Sequence, residues 1–255
     1  MFVSPCVEWL FAAEHPALPD RIRAARAAGH GAVEFHLWRD KDLGAVAAAL
    51  EETGVTLTGF VVEPRRSLVD PAQHAEFLDA VRDSLVAARR LGSPPLVVAS
   101  GFTRKGVGRD EHVAAAVAAL GQAAALAEEA GVMLVLEPLN DRIEHPGMFL
   151  VDTALGLDIV EAVASPNLRL LFDAYHSATM GEDLERVLVG RMHLVAHVQV
   201  ADTPGRHEPG TGTIDWPATL ATLRRLGYDG ALGLEYKPTL PTLDSLAQAR
   251  AALGL

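Results

Sequence analysis

Short apolar runs rich in β-branched residues alternate with Ala-, Leu- and Arg-rich stretches of helical spacing along the whole 255-residue chain. The pattern predicts strands near 2–8, 32–36, 55–62, 95–99, 132–137, 169–173, 193–199 and 231–236. It predicts helices near 17–28, 42–52, 71–90, 109–130, 153–163, 180–190, 215–226 and 242–253. Strand–helix pairs in series build a parallel sheet, either open or closed on itself. An open nucleotide-binding sheet is marked by G-x-G-x-x-G after its first strand, or by a P-loop, and the chain has neither. The expected fold is therefore α/β, a (β/α)8 TIM barrel, with residues 1–255 forming one domain.

Local punctuation agrees with this layout. Asp70 precedes Pro71, a cap residue followed by proline at the first helical position, and Asp215 with Pro217 repeats the arrangement. Gly29, Gly54, Gly92, Gly131 and Gly227 each follow a helical run, where a left-handed residue is wanted. The stretch 109–130 is nearly all Ala, Leu and Val on one side and should pack that face on a sheet.

Bulk composition narrows the function. With 49% hydrophobic and 22% charged residues, the chain can bury one large core. Its 33 acidic against 22 basic residues leave a net charge of −11, which repels phosphate backbones and argues against a nucleic-acid partner. Cys6 is the one cysteine, so no disulfide can form within the chain. It sits in the apolar run FVSPCVEW and reads as a small buried hydrophobe. No signal-like n-region precedes an apolar core, and no apolar run reaches about 18 residues, so no membrane partner is expected. A cytoplasmic protein is expected, and the sequence is compatible with a homo-oligomer.

Four predicted strands end alike. VMLVLEPLN runs into Glu137, LRLLFDAYH into Asp173, LVAHVQVAD into Gln199 and ALGLEYKP into Glu235. Their separations are 36, 26 and 36 residues, each close to one strand–helix unit of about 32. In a barrel those strand ends share one mouth. Three carboxylates and an amide converging there suit a hard divalent cation, Mg²⁺ or Mn²⁺. With no Cys in the set and no His as first choice, Zn²⁺ fits less well, although Co²⁺ or Zn²⁺ could substitute in vitro. One acidic residue ending a strand usually caps the next helix or faces water; four in consecutive units are harder to explain that way.

Pleat alternation extends the set. Lys237 lies two residues past Glu235 and should face the same way, as a partner for a substrate carboxylate or a developing oxyanion, or as a rim lysine paired with an acid. His197 lies one layer below Gln199 and reads as a core histidine or a support for the site. His176, three residues after Asp173, is placed to bond a substrate hydroxyl or to face solvent. The loop TPGRHEPGTG after the seventh strand should curl over the mouth, its glycines permitting the turns. Arg206 is its candidate for a substrate oxygen, with Glu208 to orient Arg206 or His207. Trp9, Trp38 and Phe102 follow strands one, two and four, as pocket lining or packing, and His36 falls near the mouth with Trp38.

The motifs LEPLN, FDAYH, HVQVAD, GRHEPGTG and LEYKP resemble the hydroxypyruvate isomerase branch of the xylose-isomerase-like TIM barrels. The similarity covers essentially the whole chain and is densest from about residue 130 onward. The resemblance implies a divalent metal held by Glu137, Asp173, Gln199 and Glu235. It implies that Glu137 and Glu235 are the proton-transfer pair and that His176 and Arg206 contact substrate. The implied reaction is a proton shift in a small α-hydroxy carbonyl compound or sugar through a cis-enediolate, most specifically hydroxypyruvate to 2-hydroxy-3-oxopropanoate. Ketose 3-epimerisation and inosose-type dehydration use the same barrel. A remoter relative, the abasic-site endonuclease, needs a multi-zinc, His-rich site and a basic groove. The segments GFVVEPRRSLVDPAQ and GFTRKGVGR look shorter than the corresponding loops of hydroxypyruvate isomerases.

Overall fold

The computed structural model describes residues 1–255. Its strands are β1 (Phe2–Pro5), β2 (Ala32–Val33), β3 (Thr56–Leu57), β4 (Phe60–Val61), β5 (Leu96–Ala99), β6 (Leu134–Glu137), β7 (Leu168–Asp173), β8 (Val195–Val200) and β9 (Ala231–Leu234). The α-helices are α1 (Leu18–Ala27), α2 (Leu43–Thr53), α3 (His74–Arg90), α4 (Arg109–Ala130), α5 (Thr153–Val163), α6 (Ala174–Met180), α7 (Leu184–Leu188), α8 (Trp216–Arg225) and α9 (Thr242–Leu253). Seven strands form one parallel sheet in the order β1-β9-β8-β7-β6-β5-β4. The remaining gap is bridged by β2 and β3: Cys6 pairs with Glu34 beyond the end of β1, and β2 pairs with β3.

The predicted third strand is split at Thr58–Gly59. Thr58 N–H still donates to Val33 O on the β2 side, whereas Phe60 N–H donates to Pro95 O on the β5 side. The stave keeps its bonds to the β2 side beyond the break, Gly59 O accepting from Phe35 N–H and Val61 N–H donating to His36 O, so nine strands make the eight expected staves and the barrel is confirmed. The predicted helix 180–190 is also revised. Asp173 caps α6 directly, its Oδ1 accepting from Tyr175 and His176 N–H. Gly181 ends that helix at φ 78°, and Asp183 caps the short α7. The five glycines expected to follow helices all have φ between 65° and 96°.

Strand alternation divides the interior. Leu96, Leu134, Leu136 and Leu170 join a core of 61 buried residues running from Val7 to Leu253 between barrel and helices. Val97, Val135 and Leu171 form a separate small cluster, which alternation puts on the inward face. By the same alternation Glu137 and Asp173, two residues beyond Val135 and Leu171, point inward at the C-terminal end. Although no uninterrupted apolar run is that long, α4 has the length and mean hydropathy of a membrane-crossing helix. Its Ala-rich face (Ala116, Ala119, Leu120, Ala123, Ala127) is buried in the main core.

Candidate active site

A cavity of about 650 Å³ opens at the C-terminal mouth and is lined in part by Trp9, His36, Glu137, His176, Arg206 and Glu235. Glu137, Asp173 and His176 present ligand-type atoms within 4.8 Å of one another. His176 Nε2 stands 3.6 Å from Asp173 Oδ2 and 3.9 Å from Glu137 Oε1. Gln199 is in register with Asp173 on one side and Gly233 on the other. Glu235, just past β9, accepts from Arg206 Nη2 at 2.6 Å, and its other oxygen lies 2.7 Å from His36 Nε2.

Unpartnered atoms show what the cluster lacks. Asp173 Oδ2 and Gln199 Oε1 are both buried without a hydrogen-bond partner. Asp173 spends Oδ1 on the α6 cap, which leaves Oδ2 free. Gln199 gives its NH2 group to Glu34 Oε1 at 2.9 Å, which turns its carbonyl oxygen away from Glu34. A buried acceptor left bare costs free energy unless a ligand satisfies it, and bare Asp173 Oδ2 clustered with Glu137, with bare Gln199 Oε1 on the adjacent strand end, supplies hard-cation donors. The residues present fit a divalent ion.

His176 plays a different part. Asn140 N–H donates to His176 Nδ1 at 3.0 Å, so Nδ1 is the acceptor and the proton of the neutral ring sits on Nε2. Burial, with the nearby Arg206 charge, drops the ring to about 3, so it stays neutral. Nε2–H has no partner within the protein and is offered to the cavity wall as a donor.

Charge is distributed unevenly over the cluster. Burial, then Glu235 and Asp173, pushes the Glu137 carboxyl well above its ordinary range. Burial likewise raises Asp173, to about 7, against the pull of Arg206. Burial acts on Glu235 too, but Arg206 and His36 overcome it and hold that carboxyl well below the usual range. Burial opposes charge on His36, yet Cys6 and Glu235 hold the ring well above its ordinary value. Cys6 is buried as expected, with its Sγ 3.3 Å from His36 Nε2.

Arg206 reaches the centre because its backbone is unusual. At φ 58° it occupies the left-handed region, which costs a non-glycine residue about 1 kcal/mol or more. Asp202 O accepts its N–H at 3.0 Å and Lys237 N–H donates to its carbonyl at 2.8 Å, which hold the turn. The guanidinium packs 5.2 Å from the Trp9 ring and 5.3 Å from Tyr175.

Lys237 and Trp38 take the second of their two readings, and the expectation for Glu208 changes. Lys237 does not join the cluster: β9 ends at Leu234, so strand alternation does not reach it, and its side chain is 54% exposed with Nζ 4.0 Å from Glu144. Glu208 orients neither Arg206 nor His207; it is buried and accepts from Thr239 and Leu240, tying this loop to the one after β9. Trp38 gives its indole N–H to Ser84 and packs on the core, whereas Trp9 and Phe102 line the cavity. His197 is buried against Glu34 at 2.7 Å, supporting the layer below Gln199.

Sequence reasoning missed Glu34, Asn140 and Glu144. Glu34 and Glu144 carried no strand-end signal. Asn140 ends the LEPLN motif, which marked it, but its bond to His176 depends on α6 starting directly at Asp173.

A closed βα barrel with an acid-and-amide cluster at its C-terminal mouth defines a class of small-molecule enzymes. The chain belongs to the xylose isomerase-like TIM barrel family, whose model matches residues 22–253. It is 32% identical over 248 residues to the 2-oxo-tetronate isomerase of Cupriavidus necator, covering 94% of this chain and 95% of that one. It is 31% identical over 172 residues to the hydroxypyruvate isomerase of Escherichia coli, covering 68% and 66% of the two chains. A solved structure titled as an AP endonuclease of family 2 from Brucella melitensis superposes with a TM-score of 0.89 at 31% identity, covering 96% of each chain. The resemblance to the hydroxypyruvate isomerase branch is borne out.

Proposed function

We propose that the protein is a divalent-metal-dependent isomerase of small α-hydroxy carbonyl compounds, acting on hydroxypyruvate to give 2-hydroxy-3-oxopropanoate. The observation that carries the reading is the pair of bare buried oxygens, Asp173 Oδ2 and Gln199 Oε1, on adjacent strand ends, with Asp173 clustered with Glu137, which lines the cavity with Glu235. The names of the 2-oxo-tetronate and hydroxypyruvate isomerases support it. Glu137, Asp173, Gln199 and Glu235 would hold the ion, Mg²⁺ or Mn²⁺ by their oxygen chemistry. When bound, it supplies positive charge that acidifies the C–H beside the carbonyl.

Glu137 and Glu235 take and return the proton, one removing it to form a cis-enediolate and the other delivering it to the adjacent carbon. His176 donates from Nε2 to a substrate oxygen. Arg206 holds Glu235 in place and balances charge on the developing enediolate. Trp9 and the apolar wall restrict water. A net charge of −11 and the amide donor set this reading apart from DNA cleavage. We place the enzyme in the cytoplasm, as one domain.

The test is turnover by the full-length protein with EDTA and after addition of Mn²⁺ or Mg²⁺. Glu137→Gln and Glu235→Gln should each lower kcat by about 10²–10⁴-fold. Near wild-type turnover in both variants would overturn the assignment. Product NMR in D2O shows which carbon exchanges, and deuterium confined to C3 of a ketose would favour 3-epimerisation.

A further inference from the structure

Away from the carboxylate cluster, toward the loops after β4 and β5, the cavity changes sign. Arg65, Arg66 and Arg104 all line that end. Two of them are neutralised locally: Arg66 by Glu76 at 2.5 Å and Arg104 by Asp70 at 3.5 Å. The Arg65 guanidinium makes no hydrogen bond and no ion pair within the protein, and its charge is felt at Glu137 and His145 on the same wall. Two residues on, Ser67 also lines the cavity, and its Oγ is buried without a partner.

The placement of Ser67 is built. Its backbone N–H is held by Gln73 Oε1 at 3.0 Å. Gly101, at φ 86°, approaches so closely that a Cβ there would lie 2.8 Å from Ser67 Cα. Only glycine permits that approach. A free guanidinium and an unpartnered hydroxyl on residues of the same cavity wall suit an anion, since planar paired N–H donors match a carboxylate and a hydroxyl that turns toward it adds a third donor. At the opposite end the cluster of acids repels a carboxylate. One cavity therefore offers a cationic pole and a proton-transfer pole, which orients a molecule charged at one end.

We propose that Arg65, with the Ser67 hydroxyl, receives the substrate carboxylate and so selects hydroxy-carbonyl acids over neutral ketoses. The selection rests on the isomerase reading above; the anion site does not. A neutral sugar would leave Arg65 without a counter-charge. A carboxylate supplies it and turns the hydroxy-carbonyl group toward Glu137 and Glu235.

The test uses Arg65→Met, Arg65→Lys and Ser67→Ala in the full chain. The Arg65 side chain is exposed and unbonded, so its loss should leave the thermal midpoint within about 2 °C. Two measurements are made. Calorimetric titration with tartronate, a non-isomerising acid, should show wild-type binding weakened about 30-fold in Arg65→Met, about fivefold in Ser67→Ala, and largely restored in Arg65→Lys. The ratio of kcat/KM for hydroxypyruvate over dihydroxyacetone, and for 2-oxo-tetronate over erythrulose, should fall by a similar factor, mainly through KM. Tartronate binding that is absent in wild type, or within threefold of wild type in Arg65→Met, overturns the site. Equal losses on acid and neutral substrates overturn the selectivity. Tartronate binding that depends on Arg65, without isomerisation of any compound, leaves the anion site standing and overturns the isomerase reading.

Discussion

A carboxylate can only accept hydrogen bonds, and that decides which way Gln199 faces. Glu34 Oε1 must take the NH2 group, so the amide carbonyl is presented on the other side. Room for Glu34 comes from Gly233, where an added Cβ would sit 2.5 Å from its Oε2. Glu34→Gln should therefore let the Gln199 amide turn over, weakening Mn²⁺ binding by about 10- to 100-fold in calorimetric titration and costing about 1–3 kcal/mol in urea unfolding. Gly233→Ala should do the same by displacing Glu34. Mn²⁺ affinity within twofold of wild type in both variants would show that the amide needs no such support. Glu137, Asp173, Gln199 and Glu235 were legible because each ends an apolar run at the same interval. Glu34 was not, since its meaning depends on a missing side chain in a stave from the other end of the chain.

At the level of elements, the loop after β8 carries Arg206 into the site and is fixed by its own acids. Asp202 accepts from the N–H groups of Thr203, Gly210 and Ile214 and from the Trp216 indole. Glu208 binds it to the loop after β9. The sequence marked this loop by its glycines and charges, but the partners of Glu208 lie in the next unit and no local pattern announces them. The strand and helix order was legible because it follows local periodicity. The split third stave was not, because no periodicity in the sequence marks the local break at Thr58–Gly59. Burial would raise the Asp202 carboxyl, but the Trp216 N–H and the backbone donors outweigh it and hold it below its ordinary value. Its folded pKa being depressed, its stabilisation is present above the unfolded value of about 4 and is lost as pH falls through the folded one. Asp202→Asn should cost about 1–3 kcal/mol at pH 7, and the gap from wild type should narrow below about pH 4 in thermal melts. A gap constant from pH 7 to pH 3 would contradict this account.

For the whole molecule, barrel closure sets a stability problem that a bound cation relieves. It brings Glu137, Asp173 and Glu235 to one buried mouth in a chain of net charge −11, with Arg206 the cation that touches both Asp173 and Glu235. Glu137 and Asp173 have folded values raised above their unfolded ones. For a raised acid the folded state is favoured only while the proton is held, so without metal the cluster lowers stability progressively as pH rises from about 4 past 7. A divalent ion binds the deprotonated forms. It removes that penalty at high pH and must displace protons at low pH. Mn²⁺ at 100 times its dissociation constant should add about 2.7 kcal/mol, or about 5–10 °C in thermal midpoint for a domain this long. At one fixed Mn²⁺ concentration the gain should be larger at pH 8 than at pH 5.5, and Asp173→Asn should abolish most of it. Scanning calorimetry with EDTA or Mn²⁺ at the two pH values decides the matter. A gain equal at both would mean the ion binds elsewhere than among these acids, because only groups that exchange protons for metal can make its stabilisation depend on pH in this direction.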